Sequence, residues 1–222
     1  MNNMLLKLFS GCLLLTLAFT ACKKDDITGD VQDVNIYKDK TTYEFLKSHS
    51  SFDTLVQMID AAGLKDKINA QGASFFPPTD WTIYNYLSAR TLIVQNTINQ
   101  NSKWGLDSML YYLSNNIKGT RDSLQMYLIA QPLTFDKLTE AGVKYPTGLA
   151  NDTAVVSYKT VTSGLGYNNN FSSPIRVVYY SHPYKVGNTP NTTDILCTTS
   201  GILTKNGVVH VLSSGHSLFF RQ

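Results

Sequence analysis

Four histidines, three cysteines and thirteen tyrosines are the side chains of this 222-residue chain with the greatest chemical reach. The histidines are His49, His182, His210 and His216. His210 and His216 stand six apart with no cysteine pair beside them, which is not a zinc-ligand spacing. Ser213-Ser214 ahead of His216 only loosely echoes a nucleophile and its base, and no G-x-S-x-G elbow accompanies them. Walker and dinucleotide glycine patterns are absent as well. The expectation is a protein with no catalytic residues, no metal and no cofactor. Tyrosine points elsewhere. Tyr179-Tyr180 is an adjacent pair, so in a strand one of the two rings must face away from the core. Tyr167 and Tyr184 sit among Gly, Asn and Pro. Tyr167, Tyr179 and Tyr184 are therefore candidate ligand contacts, since an exposed tyrosine can stack on a sugar ring or anchor a protein partner.

Composition sets the frame around these residues. The chain is 43% hydrophobic and 16% charged, enough apolar material for one ordinary domain with appendages. Net charge is +3, or +2 without residues 1–21, whose one charged side chain is Lys7. That balance gives no footprint for nucleic acid. Three cysteines cannot build a disulfide framework, and Cys197, inside an apolar strand-like run, reads as a buried structural thiol.

The N-terminus reads as an address. After Lys7, residues 8–21 are mostly apolar, too short a run to cross hydrocarbon as a stable helix but right for a secretory h-region. Phe19-Thr20-Ala21-Cys22 resembles the lipobox of bacterial lipoproteins, with Ala21 and Cys22 in agreement. A rival box at Phe9-Ser10-Gly11-Cys12 would leave almost no h-region. The resemblance implies a signal peptide over 1–21 and lipid on Cys22, a diacylglycerol on sulfur and a third, palmitate-type chain on the amine. At ~0.8 kcal/mol per buried CH₂, several such chains anchor a protein durably. Lys23-Lys24-Asp25-Asp26 follows, and is either a solvated linker or similar to the acidic surface-export signal of Bacteroidota lipoproteins. Residues 22–40 are then a lipidated tether spanning ~20–25 Å as a flexible coil.

From residue 41 the hydrophobic period becomes helical. Tyr43, Phe45 and Leu46 open a short segment, and Phe52, Leu55, Val56 and Ile59 make one stripe of a helix capped by Ser50 and stopped by Gly63. Ser74-Phe75-Phe76 is a short strand closed by Pro77-Pro78. Thr79 or Asp80 then caps a helix presenting Ile83, Tyr86 and Leu87, and a further helix covers 103–114. Beyond it, runs at 124–130, 153–162, 175–180, 195–203 and 208–212 read as strands. Lys205-Asn206-Gly207 reads as a tight hairpin turn, because Asn-Gly tolerates positive φ. Helices first and strands afterwards mean an α+β domain.

Two segments resemble one family. Ser74-Phe75-Phe76-Pro77-Pro78-Thr79-Asp80 is similar to the first signature of fasciclin (FAS1) domains, and Asn206-Gly207-Val208-Val209-His210-Val211-Leu212 to the second. The signature residues carried over are Phe76, Pro78, Thr79, Asp80, Asn206, Gly207 and His210. Where the family has a Tyr-His pair, this chain has Tyr111-Tyr112 and no histidine. The resemblance covers 41–222 and implies a β-sandwich wedge with an N-terminal helical lobe, with insertions near 85–130 and 163–195. It also implies binding rather than catalysis, with His210 as a structural hydrogen-bonding residue.

The functional expectation is an outer-membrane, surface-facing lipoprotein that adheres to, or binds, a surface glycan or an outer-membrane protein. The alternative is an accessory subunit of a TonB-dependent glycan-uptake complex. Finally, Asp53-Thr54-Leu55, Asp107-Ser108-Met109, Asp122-Ser123-Leu124 and Asp152-Thr153-Ala154 resemble O-glycosylation acceptors of Bacteroidota, Thr153 being the best placed.

Overall fold

The structure is a computed structural model that describes residues 35–163, 175–186 and 189–220. Cys22 and Tyr167 lie outside the described residues.

Among the described residues six helices precede or interrupt the strands: α1 Thr42–Lys47, α2 Asp53–Ala62, α3 Lys65–Ile68, α4 Asp80–Thr97, α5 Leu106–Ser114 and α6 Thr120–Ser123. The first is set by a capping box, in which Thr41 and Glu44 satisfy one another's backbone N–H groups. The stripe Phe52, Leu55, Val56 and Ile59 is buried as its spacing requires, and Gly63 ends α2 with φ 64°. Ser50 does not cap α2. It lies in a 3₁₀ turn, Ser50–Phe52, and the orphan N–H groups of Thr54 and Leu55 are taken by the carboxylate of Asp80, at 2.9 and 3.1 Å. The 3₁₀ turn carries Ser50 away from the first turn of α2, and a carboxylate from the start of α4 meets those N–H groups instead.

The strands are β1 Ala73–Phe75, β2 Leu128–Ile129, β3 Val143–Pro146, β4 Thr153–Val161, β5 Ile175–Val186, β6 Thr189–Leu203 and β7 Gly207–Leu212. They form one mixed sheet in the order β2-β1-β7-β6-β5-β4-β3, parallel only where β1 meets β7. The α+β class holds. The sheet curls almost to closure: Gly148, just after β3, donates its N–H to the Leu128 carbonyl of β2 at 2.7 Å. Curling also brings Tyr180 of β5 to Phe76 beside β1, with centroids 4.7 Å apart although three strand spacings separate them in the sheet.

Three strand expectations are corrected. The run 124–130 is mostly a 3₁₀ turn, Leu124–Tyr127, followed by the two residues of β2. Its continuous apolarity reflects burial on every side rather than a strand. β3 carries no strand signal in the sequence, because only Tyr145 of its four residues is buried. β5 and β6 run on beyond the expected 175–180 and 195–203, pairing from Tyr179↔Leu196 to Val186↔Thr189 despite Pro183 and Pro190. The hairpin before β7 is present, β6 and β7 pairing antiparallel up to Leu203↔Val208, but its turn is not of the expected kind. Neither Asn206 nor Gly207 takes positive φ.

Candidate functional site

The two signature segments meet in the core. Asn206 is buried and accepts the Thr42 N–H at its Oδ1 (2.8 Å) and the Gly72 N–H at its carbonyl (2.7 Å), while its Nδ2 donates to the Ile68 carbonyl. Gly207 pairs with Ala73, and a Cβ there would lie 2.2 Å from the Ala73 carbonyl oxygen. His210 is fully buried. Its Nδ1 accepts the Gly201 N–H at 3.3 Å and its Nε2–H donates to the Leu133 carbonyl at 2.8 Å. A backbone donor on one nitrogen and a backbone acceptor on the other define one neutral tautomer. Burial pushes its pKa down to about 4, against the Leu133 bond that pulls it up. Phe76 stacks on its ring at 5.0 Å and 12°. Thr79 precedes α4 without a side-chain cap bond, and Asp80 holds α2 rather than its own helix. Pro78 lies buried between β1 and α4. These residues are committed to joining the helices to the sheet.

A cavity of about 520 Å³ opens beside them, walled by α4, the Trp104 region, α5, the 118–120 loop and the C-terminal segment 214–217. Each wall is held by identifiable contacts. Ile83, fully buried, and Asp80 fasten the first turn of α4. Thr91 pins Trp104, its hydroxyl donating to the Trp104 carbonyl (2.9 Å) and accepting the Trp104 N–H (3.2 Å). Tyr86 and Tyr112 meet Trp104 edge-on at 6.0 and 5.4 Å, and the Arg90 guanidinium lies over the indole at 5.4 Å. Lys118 reaches the cavity from a loop in which Asn116, Lys118 and Gly119 all have positive φ. Asn116 steadies that loop by accepting the Arg121 N–H at 3.1 Å and donating to Asp122 at 2.8 Å. His216 donates from Nδ1 to the Ser213 carbonyl (3.0 Å), and its Nε2 accepts from the Tyr127 hydroxyl (3.3 Å). Burial draws its pKa below the usual range against the Ser213 bond. Both ring nitrogens are thus occupied, and neither is offered to a serine hydroxyl. Among the described residues no three His, Cys, Asp or Glu side chains converge as metal ligands would.

The remaining sequence candidates are placed as follows. Tyr179 lies half-buried on β5 under the Lys159 ammonium, 4.4 Å from its ring, and does not line the cavity. Tyr184 falls in β5, with its side chain outside what the structure describes. Thr153 opens β4 half-buried, beside Asp152, which pairs with His182 at 3.0 Å and accepts from Thr147 at 2.6 Å. Burial acts to raise that carboxyl, but these partners hold it below its ordinary range. Ser123, in a second of the four tripeptides, is buried with its hydroxyl on the Gly119 carbonyl. Cys197 is buried in β6, where desolvation pushes its thiol well up and leaves it unreactive. The ring trio Tyr86, Trp104 and Tyr112 and the two cations escaped sequence reasoning as a set. Nothing in the spacing of Tyr86 and Tyr112 places them around one space.

On the far side of α4, a stripe of side chains faces solvent. Trp81 and Tyr84 stack at 5.5 Å and 23°, each about 60% exposed, and Leu92 and Ile98 continue the apolar surface. Exposed apolar surface of this kind is characteristic of contact sites.

No protein-family model and no curated protein matches the chain. Among solved structures, it is similar to a FAS1 domain pair from the insect cell adhesion molecule fasciclin I, with 13% sequence identity and a TM-score of 0.44. The match covers 78% of this chain and 46% of that one, so the chain spans less than half of that protein's length.

Proposed function

We propose that the chain is a non-catalytic binding domain of fasciclin type, lipidated at Cys22, held on the outer membrane and turned outward to mediate adhesion by contact with glycan or protein. The observation that carries this reading is a division of labour among side chains. His210, Asn206 and Asp80 spend their polar atoms on the fold, and His216 has both nitrogens bonded, while the cavity gathers three rings and two cations around open space. Such a wall can hold a ligand, and nothing in it pairs a nucleophile with a base. The signature segments support the fasciclin-type reading, and the Ala21-Cys22 junction supports the anchor.

The test uses the full chain expressed in a diderm bacterial host fed an alkyne-tagged palmitate. The wild type is expected to carry the tag, fractionate with outer membranes and be removed by protease added to intact cells. Cys22→Ala is expected to lose the tag and the membrane association together. Binding of the wild-type cells to immobilised glycans or host-surface protein, lost in cells bearing Cys22→Ala, completes the reading. Protease resistance on intact cells would overturn outward presentation.

The exposed stripe on α4 favours a second reading, in which Trp81, Tyr84 and Leu92 dock on a TonB-dependent transporter and the domain is its accessory subunit. Stoichiometric recovery of a transporter from solubilised membranes, abolished by Trp81→Ala with Tyr84→Ala, distinguishes it from free adhesion.

A further inference from the structure

Arg90 and Lys118 bring two positive charges to one cavity whose lining contains no Asp or Glu. Neither has an ion-pair partner among the described residues, where the ion pairs are Lys159–Asp194 and His182–Asp152. Within the same walls two buried polar atoms lack a hydrogen-bond partner: Nε of Arg90, and Oγ1 of Thr82, a residue only 1% exposed. Both atoms are closed off behind the wall, so what points to an anionic ligand is the pair of cations facing open space with no carboxylate among the lining residues. The rest of the wall says what kind. Tyr86, Trp104 and Tyr112 supply ring surface, and Asn85, Thr120 and Ser217 supply amide and hydroxyl groups suited to a polyol. A volume of about 520 Å³ admits more than a bare inorganic anion.

We propose that this cavity binds an acidic saccharide, with a uronate carboxylate held between the Arg90 guanidinium and the Lys118 ammonium and the sugar ring against the tyrosine and tryptophan side chains. The guanidinium is already oriented by its stacking on Trp104, which lowers the entropy lost when a carboxylate docks. The proposal rests on reading the domain as a binding module, and names the ligand class of its cavity.

Trp104 gives the readout. The chain has two tryptophans, so Trp81→Phe in the full-length protein leaves Trp104 as the sole indole reporter. Titration with a digalacturonate is expected to change its fluorescence saturably, with affinity falling as salt rises. The dimethyl ester of the same disaccharide is expected to bind at least about ten-fold more weakly, the usual loss when a charge-assisted pair is removed. Arg90→Gln and Lys118→Gln should each cost a similar factor, Lys118→Arg should retain most binding, and Lys159→Gln should change nothing. A thermal melt of each variant separates lost binding from lost folding. Equal binding of acid and ester would overturn the anion assignment while leaving a saccharide-binding module. Absence of any titration by either sugar, with surface adhesion intact in the Arg90→Gln variant, would overturn the cavity assignment and leave adhesion standing. Loss of adhesion under every condition would overturn the underlying reading itself.

Discussion

A methyl group on Gly207 would sit 2.2 Å from the Ala73 carbonyl oxygen, a distance at which backbone must move. Gly207→Ala is therefore expected to cost about 3 kcal/mol, the upper range of core overpacking, as a lowered urea midpoint with unchanged slope. Asn206→Ala leaves the Thr42 N–H and the Ile68 carbonyl short of a partner in a buried place, and is expected to cost about 2 kcal/mol. His210 sets a pH signature. Its folded pKa of about 4 lies below the unfolded value near 6.5, so the unfolded state binds the extra proton between those two values. Stability is then full above pH 6.5, falls as pH drops towards 4 and levels below it, by about 3 kcal/mol from this one group. Urea midpoints collected from pH 7.5 to 3.5 should show that fall in the wild type and a shallower one in His210→Gln. His216, also depressed by burial, adds with the same sign.

Helix α4 and the loop after α5 are the elements that make the cavity. Asp80 begins α4 yet satisfies the first N–H groups of α2, so Asp80→Ala is expected to loosen both helices at once and to lower stability by about 1–2 kcal/mol. The measurement is amide exchange at Thr54 and Leu55, which should speed up before the core of the sheet does. Lys118 holds φ 54°, a conformation costly for a side chain with a Cβ. Lys118→Gly is expected to raise stability by about 1 kcal/mol while removing one of the two cavity charges. A variant that melts higher and binds an acidic sugar more weakly would mark strain retained for function; unchanged stability would deny it.

Across the whole molecule, the C-terminal segment is the keystone. Phe219 and Phe220 are buried at positive φ, and the Phe220 ring stacks on His182 at 4.5 Å and lies 5.6 Å from Tyr127. Tyr127 in turn accepts the Phe219 N–H at 2.8 Å and meets His216. The far end of the chain thereby seals the space between β5 and the helices, and the same segment supplies one cavity wall. Phe220→Ala is expected to cost about 3 kcal/mol, within the range for buried aromatics. It should also perturb Trp104 fluorescence through Tyr86, which touches both Phe219 and Trp104.

Periodicity and composition are enough to read the helix-first α+β order, the stripe from Phe52 to Ile59 and the buried Cys197. Each depends on burial of a pattern, and a pattern is local. What only the tertiary structure decided are the relations between distant residues. Asn206-Gly207 has the composition of a tight turn, but its use is set by Thr42, Ile68 and Ala73, which a reading of neighbours cannot supply. Asp80, not Ser50, meets the start of α2, because the packing of α4 brings a distant carboxylate there while a 3₁₀ turn takes Ser50 out of reach. The cavity is the strongest case. Tyr86, Arg90, Trp104, Lys118 and His216 span 130 positions of sequence and come together because the sheet curls and the C-terminus folds back. Which residues are apolar, polar or charged is written along the chain, whereas which of them face one empty space follows from how its elements close on one another.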